Sequence, residues 1–330
     1  MNKLPRWRGF NLLERFSVSR GNPPFEEEDF DWMEEWGFNF VRLPMDYRCW
    51  IVEGDVKRID EKGLKGIDAA VELGRQRGIH VNINFHRAPG YSVNKEAEEP
   101  FNLWTDEEAQ AACELHWRAF AARYRGIPAD DLSLNLFNEP GQMDRNGLTR
   151  ESHEAVVRRM VKAIHEEDPG RLVVVDGVQW GRVPLPELAD LPIAQSTRFY
   201  EPGWLTHHKA SWVNADQAAP DPVWPRTDPD GKVFGLDHLR EYFRPWKELI
   251  DSGVGVHAGE GGAFSHTPHD TVLAWLRDAL TAMQEIGIGW ALWNLRGPFG
   301  IVDSQREDVD YEPFHGHRLD REMLELLLEF

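Results

Sequence analysis

Two glutamates sit where turns of this kind usually hold something blander. Glu139 ends the alternating run "LSLNLFNEP", residues 132–140, and Glu260 lies in "HAGEGGAF", residues 257–264. Two carboxyl groups can cleave a glycosidic bond between them. One, protonated, donates to the departing oxygen; the other, ionised, attacks the anomeric carbon and forms a glycosyl-enzyme. Retaining catalysts hold such a pair about 5–5.5 Å apart, and its members must titrate differently, which their surroundings decide. Plainer roles exist. Glu139 beside Pro140 suits the first turn of a helix, where the helix dipole favours an acid. Glu260 has no helix to cap nearby, and its flanking glycines would let a bulky ligand approach the backbone.

Other polar and aromatic residues fall at comparable places, just after apolar runs. They are Arg42, His86 in "NFHRAPGY", Asn138, Trp180, Arg198, Tyr200, Trp293 and Asn294. Fourteen tryptophans are a rich supply, and a pyranose C–H face suits a flat indole with one polar N–H. Trp32, Trp36, Trp117 and Trp275 lie in helix-like patterns and read as core. Trp293, Trp180, Trp204 and Trp212 fall at strand ends or in a long loop, and are the candidate sugar platforms.

Short apolar strands alternate with amphipathic helices from end to end. The predicted strands are 8–12, 38–43, 80–85, 132–137, 171–176, 194–199, 254–258 and 288–293, rich in β-branched and aromatic residues and bounded by Gly, Pro or Asn. Helical faces are marked by Leu64, Ile67 and Val71, then by Val157, Met160, Val161 and Ile164. Leu273, Leu276, Leu280 and Met283 mark another, and Leu319, Met323, Leu326 and Leu327 a last one. Asp168-Pro169-Gly170 punctuates the end of a helix.

This alternation allows a closed (β/α)8 TIM barrel or an open doubly wound sheet. No glycine-rich phosphate loop follows the first strand, and the nearest match, 253–258, lies inside a predicted strand. We therefore expect an α/β fold of the (β/α)8 barrel type, one catalytic domain over 1–330 with a long loop at about 201–235. A barrel gathers the residues after its strands around one mouth. The long loop carries five prolines and three tryptophans, and loops of such length are usually functional.

The net charge of −19 opposes nucleic acid and anionic membrane as partners. No stretch approaches the roughly 18 apolar residues of a membrane span. The first residues lack the apolar centre of a secretory leader, so a cytoplasmic location is expected, with secretion if a leader has been removed. Cys49 and Cys113 have no metal or redox spacing and read as free thiols. His207-His208 and His266-x-x-His269-Asp270 are the nearest approach to metal ligands, but no HExxH occurs and no metal or cofactor is expected. Serine-hydrolase and P-loop motifs do not occur either. A monomer with a carbohydrate substrate is the expectation.

Taken in order, the motifs resemble glycoside hydrolase family 5, the cellulase family of clan A, over nearly the whole chain. "RGFNL" is similar to that family's first strand, and "FNFVRLPMDY" resembles the second, with Arg42 matching its arginine. "HRAPGY" resembles the third, with His86. "NLFNEP" resembles the Asn-Glu-Pro motif, where the acid/base stands, here Glu139. "FYEPGWLTHHKASW" resembles the stretch after strand six, with His207 in the substrate loop. "HAGEGGAF" resembles the nucleophile motif, here Glu260, and "WALWNLRGPFGIVDS" the strand-eight region with Trp293 beneath the sugar. The resemblance implies a Glu260 nucleophile held ionised by Arg42 and oriented by Tyr200. It implies an Asn138 contact to the sugar 2-hydroxyl and a His86 that binds sugar hydroxyls or packs against the acid.

Three departures stand out. Arg198-Phe199-Tyr200 replaces the family's His-x-Tyr. A guanidinium beside Glu139 would favour its ionised form and impair a general acid, so Arg198 is expected to point at substrate or at another carboxylate. Asn84 replaces a common aspartate. Gly261 replaces a common aromatic residue, which implies extra room near the nucleophile. The resemblance implies an endo-β-1,4-glucanase-like retaining hydrolase acting on β-glucans or oligosaccharides. A β-mannan-specific or aryl/exo-β-glycoside-specific hydrolase, or a catalytically impaired sugar-binding barrel, remains as the alternative.

Overall fold

A computed structural model describes residues 2–93, 99–213 and 215–330. Eight parallel strands form the central sheet: β1 (Arg8–Asn11), β2 (Phe40–Asp46), β3 (His80–Ala88), β4 (Leu132–Asn135), β5 (Leu172–Asp176), β6 (Ile193–Phe199), β7 (Gly255–Gly261) and β8 (Trp290–Leu292). Their order is β2-β1-β8-β7-β6-β5-β4-β3, and β3 pairs again with β2, so the sheet closes on itself. This is the expected (β/α)8 barrel. The longer helices are α1 (Glu27–Glu35), α2 (Glu61–Gln76), α3 (Glu107–Arg123), α4 (Arg150–Glu167), α5 (Leu236–Asp251), α6 (His269–Glu285) and α7 (Arg321–Leu328).

Contact density divides the chain into two compact units, Leu12–Thr197 and Met1–Asn11 with Arg198–Phe330. In the first, β2 and β3 run in register from Phe40↔His80 to Met45↔Phe85, and a bulge between Met45 and Asp46 then shifts the pairing. Every residue of β2 and β3 is buried, as strands covered on both faces must be. Helix α2 lays Leu64, Ile67, Ala70 and Val71 inward. Gly74 permits its close approach to the sheet: a Cβ there would lie 2.4 Å from Val81 and 2.8 Å from the Ile79 carbonyl. Helix α4 opens with a reciprocal cap between Thr149 and Ser152 and ends at Asp168, where the Asp-Pro-Gly signal placed its end. No long helix follows β5. Single turns at Val178–Gly181 and Pro186–Leu188 take its place.

In the second unit, β1 pairs with β8 from Arg8↔Trp290 to Phe10↔Leu292, and β7 with β8 at Ala258↔Trp290. The long loop is built rather than loose. It holds turns at Gly203–Thr206 and Ser211–Val213 and a small ribbon pairing Arg226–Thr227 with Val233–Phe234. Trp224 anchors it by donating to Asp278 of α6 at 2.9 Å. Leu319 departs from its predicted helix. It ends the strand His317–Leu319, and the helix begins only after Asp320, whose carboxylate caps the Met323 amide at 2.9 Å. No helix among the described residues is long and apolar enough to cross a membrane.

The 12–197 unit also buries three histidines in neutral form. His80 bridges the Asp130 carbonyl and the Ser133 hydroxyl, both at 2.7 Å. His116 accepts from the Trp50 indole at 2.9 Å and donates to the Val56 carbonyl at 2.7 Å. Burial pushes His80 and His116 down to about 4 and His153 to about 3. In the unfolded chain each protonates near 6.5. Between those limits the unfolded chain binds more protons than the folded one. Stability from these groups is therefore complete above pH 6.5 and falls as pH drops, by about 1 kcal/mol per pH unit for each histidine. Urea midpoints are expected to fall steadily from pH 7 to pH 4.5, a window above most carboxylate titration; a flat profile there would contradict the neutral assignment.

Candidate active site

The candidate residues divide between the two units, and each group has its own geometry. In the 12–197 unit the group is built on the C-terminal ends of β2 to β5. Arg42 is buried in β2. Its Nε donates to Asn135 Oδ1 at 3.0 Å and its Nη2 to Asn138 Oδ1 at 2.8 Å. Asn138 is fully buried, with its amide nitrogen 3.4 Å from His86 Nε2. His86 is also buried, its ring centroid 4.7 Å from that of Phe16. Asn138 is thus clamped from two sides by the side chains of β2 and β3.

Glu139 follows in a left-handed conformation, φ 49°. Few residues other than glycine adopt that region, and a residue held there needs support from its surroundings. Two groups supply it. The Glu139 amide donates to Asp176 Oδ2 at 3.0 Å, and the Tyr91 hydroxyl donates to the Glu139 carbonyl at 2.7 Å. Burial, then the Glu139 charge, pushes the Tyr91 phenol above its ordinary range, so it stays a donor. The Glu139 side chain itself is half-buried.

Trp180 lies close by. Its amide donates to the Pro140 carbonyl at 3.0 Å, and a Cβ on Gly141 would sit 3.6 Å from its indole nitrogen. Gln179 and Trp180 are both left-handed, φ 53° and 60°, and Trp180 is 42% exposed. A solvent-facing indole held in a costly conformation beside Glu139 has the form of a ligand platform.

In the other unit the centre is Glu260, 5% exposed in β7. A buried carboxylate needs partners. The Tyr200 hydroxyl donates to Oε1 at 2.9 Å, and Arg198 Nε lies 3.7 Å from Oε2. Arg198 therefore faces a carboxylate, and that carboxylate is Glu260. Its positive charge lies against this buried carboxyl group. Tyr200 packs edge-on against His207 at 4.9 Å, and His207 against Trp212 at 6.2 Å. His207 Nδ1 lies 3.0 Å from the Thr206 hydroxyl. Trp293, half-buried at the end of β8, donates its amide to the Gly261 carbonyl at 2.8 Å.

Two expectations need correction. Gly261 leaves no extra room: a Cβ there would lie 2.2 Å from the Phe199 ring, which already fills the space. Trp204 is not a free platform, because the Arg226 guanidinium covers it at 4.1 Å and Phe234 meets it edge-on at 5.5 Å. Trp212 is 56% exposed and stays a candidate. His208 instead pairs with Asp221 at 3.2 Å, and His269 with Asp320 at 2.8 Å. Among the described residues no cluster of histidine, cysteine and carboxylate side chains is arranged to hold a metal.

Asp176 was missing from the candidates. It ends β5, fully buried, and touches Asn135, Glu139 and Arg42. Its signal was available in "RLVVVD": a carboxylate closing an apolar barrel strand at the end where barrels place their sites.

The sequence profile of the cellulase family, glycosyl hydrolase family 5, matches residues 5–297. Endoglucanase C of Acetivibrio thermocellus is 25% identical over 322 residues, covering 90% of this chain and 92% of its own length. Cellodextrinase A of Ruminococcus flavefaciens is 28% identical over 192 residues, 57% of this chain and 55% of its own. A solved structure described as a glycoside hydrolase is 41% identical, with a TM-score of 0.93 over 98% of this chain and 99% of its own.

Proposed function

The chain belongs to glycosyl hydrolase family 5, the cellulase family, and is a glycoside hydrolase; from that premise we propose that it is a retaining, endo-β-1,4-glucanase-like enzyme working by double displacement on β-glucans or their oligosaccharides. The observation that carries the reading is the pair of environments. Glu260 is buried between a phenolic donor and a guanidinium, which suits an ionised nucleophile. Glu139 is half-buried at a supported, left-handed turn after β4, which suits a group that must exchange protons.

The steps follow. Glu139, protonated, donates to the glycosidic oxygen while Glu260 attacks the anomeric carbon from the opposite side of the ring. The aglycone leaves, and a glycosyl ester on Glu260 remains. Glu139, now ionised, removes a proton from water, which attacks the anomeric carbon and expels Glu260. Two inversions give net retention. The reading requires the two carboxyl groups to meet about 5–5.5 Å apart across one sugar ring, with both compact units acting as a single catalytic domain. Asn138 would reach the 2-hydroxyl, a contact that strengthens in the transition state. Trp293 and Trp180 would carry sugar faces, and His86 and His207 would bind hydroxyls. The named relatives, an endoglucanase and a cellodextrinase, support β-glucan and its oligosaccharides as the substrate class.

A screen of soluble β-glucans, β-mannans and aryl β-glycosides, with the first-formed anomer read by NMR, tests the proposal. Turnover of β-glucan with β-anomer first is expected. Release of the α-anomer first, or binding without turnover, would refute it. Turnover confined to β-mannan would keep the chemistry and overturn the specificity.

A further inference from the structure

Asp176 is buried, charged and unused by the mechanism above, yet it touches the residue that the mechanism depends on. Its Oδ2 accepts from the Glu139 amide at 3.0 Å, and its Oδ1 accepts from Asn135 Nδ2, also at 3.0 Å. Oδ2 also faces Arg42 Nη2 at 3.7 Å, within a pair that is almost wholly buried.

The chemistry of the neighbours fixes what must stand at this position. Asn135 Oδ1 accepts from two donors, Arg42 Nε at 3.0 Å and Asn84 Nδ2 at 2.9 Å. The Asn135 amide therefore cannot turn over without presenting N–H to N–H. Its Nδ2 must point at Asp176, and the Glu139 amide points there as well. Only an ionised carboxylate offers two acceptor oxygens to two such donors. A neutral amide of the same shape would direct its own N–H groups at one of them and would remove a negative charge 3.7 Å from Arg42.

We propose that Asp176 is the positioning residue of the acid/base: it holds the strained Glu139 peptide, so that the Glu139 carboxyl meets the leaving-group oxygen. The Tyr91 hydroxyl is the second clamp on the same peptide, acting at the Glu139 carbonyl. Gly90, φ 82°, makes the tight turn between β3 and Tyr91–Ser92 that brings this hydroxyl into place. A Cβ at Gly90 would lie 2.8 Å from the Leu103 amide. The proposal rests on the acid/base role given to Glu139 above.

The test separates positioning from mere support of the fold. Proton donation matters for a poor leaving group and hardly at all for one that departs unaided. Asp176→Asn is expected to lower kcat/KM on an alkyl or unactivated aryl β-cellobioside by about 100-fold. On 2,4-dinitrophenyl β-cellobioside the loss should be only a few-fold, with the thermal midpoint recorded for both proteins. Tyr91→Phe should show the same selectivity in weaker form, and it serves where the Asn variant does not fold. Glu139→Gln is the control for the underlying reading. If Glu139→Gln is selective against poor leaving groups while Asp176→Asn and Tyr91→Phe lose equally on both substrates, or lose nothing, the positioning role is wrong and the acid/base assignment stands. If Glu139→Gln shows no selectivity, the acid/base assignment itself has failed.

Discussion

Glu260→Gly is expected to lower kcat on an aryl β-cellobioside by at least about 10⁴-fold, and added azide should restore turnover with a product of inverted configuration. The size follows from what is removed. A nucleophile that forms a covalent bond acts in the transition state and not merely in the ground state, so its loss falls on kcat. The surroundings of Glu260 sharpen the expectation. Tyr200 and Arg198 are arranged around two carboxylate oxygens, so deletion of that carboxylate leaves a donor and a cation facing the vacated space. Azide entering the vacated space attacks from the face that Glu260 used. With no second displacement to follow, one inversion survives in the product. Rescue with retained configuration would place the nucleophile elsewhere.

Glu139→Ala is the second large effect, and its pattern differs. Loss on a substrate with a poor leaving group is expected to reach about 10³-fold, while 2,4-dinitrophenyl β-cellobioside should still form the glycosyl-enzyme. Hydrolysis of that intermediate then lacks its base, so the variant should accumulate it and show a burst of dinitrophenol. Azide needs no base. It should speed turnover and give a product of retained configuration, opposite to the Glu260→Gly case. A loss equal for all leaving groups, with no burst, would show that Glu139 does not move the proton.

How much of this was legible follows from the kind of signal each residue leaves. The barrel was plain because short runs rich in β-branched and aromatic residues alternate with amphipathic helical patterns from end to end. Glu139 and Glu260 stood out as candidates because a carboxylate at the end of a barrel strand has few structural reasons to be there. Arg198 was visible as a departure, but its direction was not. Only the fold shows that it faces Glu260. Gly261 misled because the volume near a glycine belongs to whatever packs against it, here Phe199, a residue distant in sequence. Trp204 misled for the same reason, since its cover comes from Arg226 and Phe234 in the far arm of the loop. Leu319 fitted a helical spacing by chance, and Asp320 decides where the helix starts. Asp176 was overlooked because its partners are an amide, an asparagine and an arginine drawn from β4, its end and β2.

The central claim is that Glu260 becomes bonded to the sugar. A 2-deoxy-2-fluoro-β-cellobioside carrying a dinitrophenyl leaving group forms such an ester quickly and releases it slowly, because fluorine destabilises both oxocarbenium-like transition states. Incubation followed by proteolysis and mass spectrometry should show one added fluorosugar, carried by the peptide that contains "HAGEGGAF" and fragmenting at Glu260. A label on Glu139 or on any other residue, or turnover with no covalent adduct, would contradict the account.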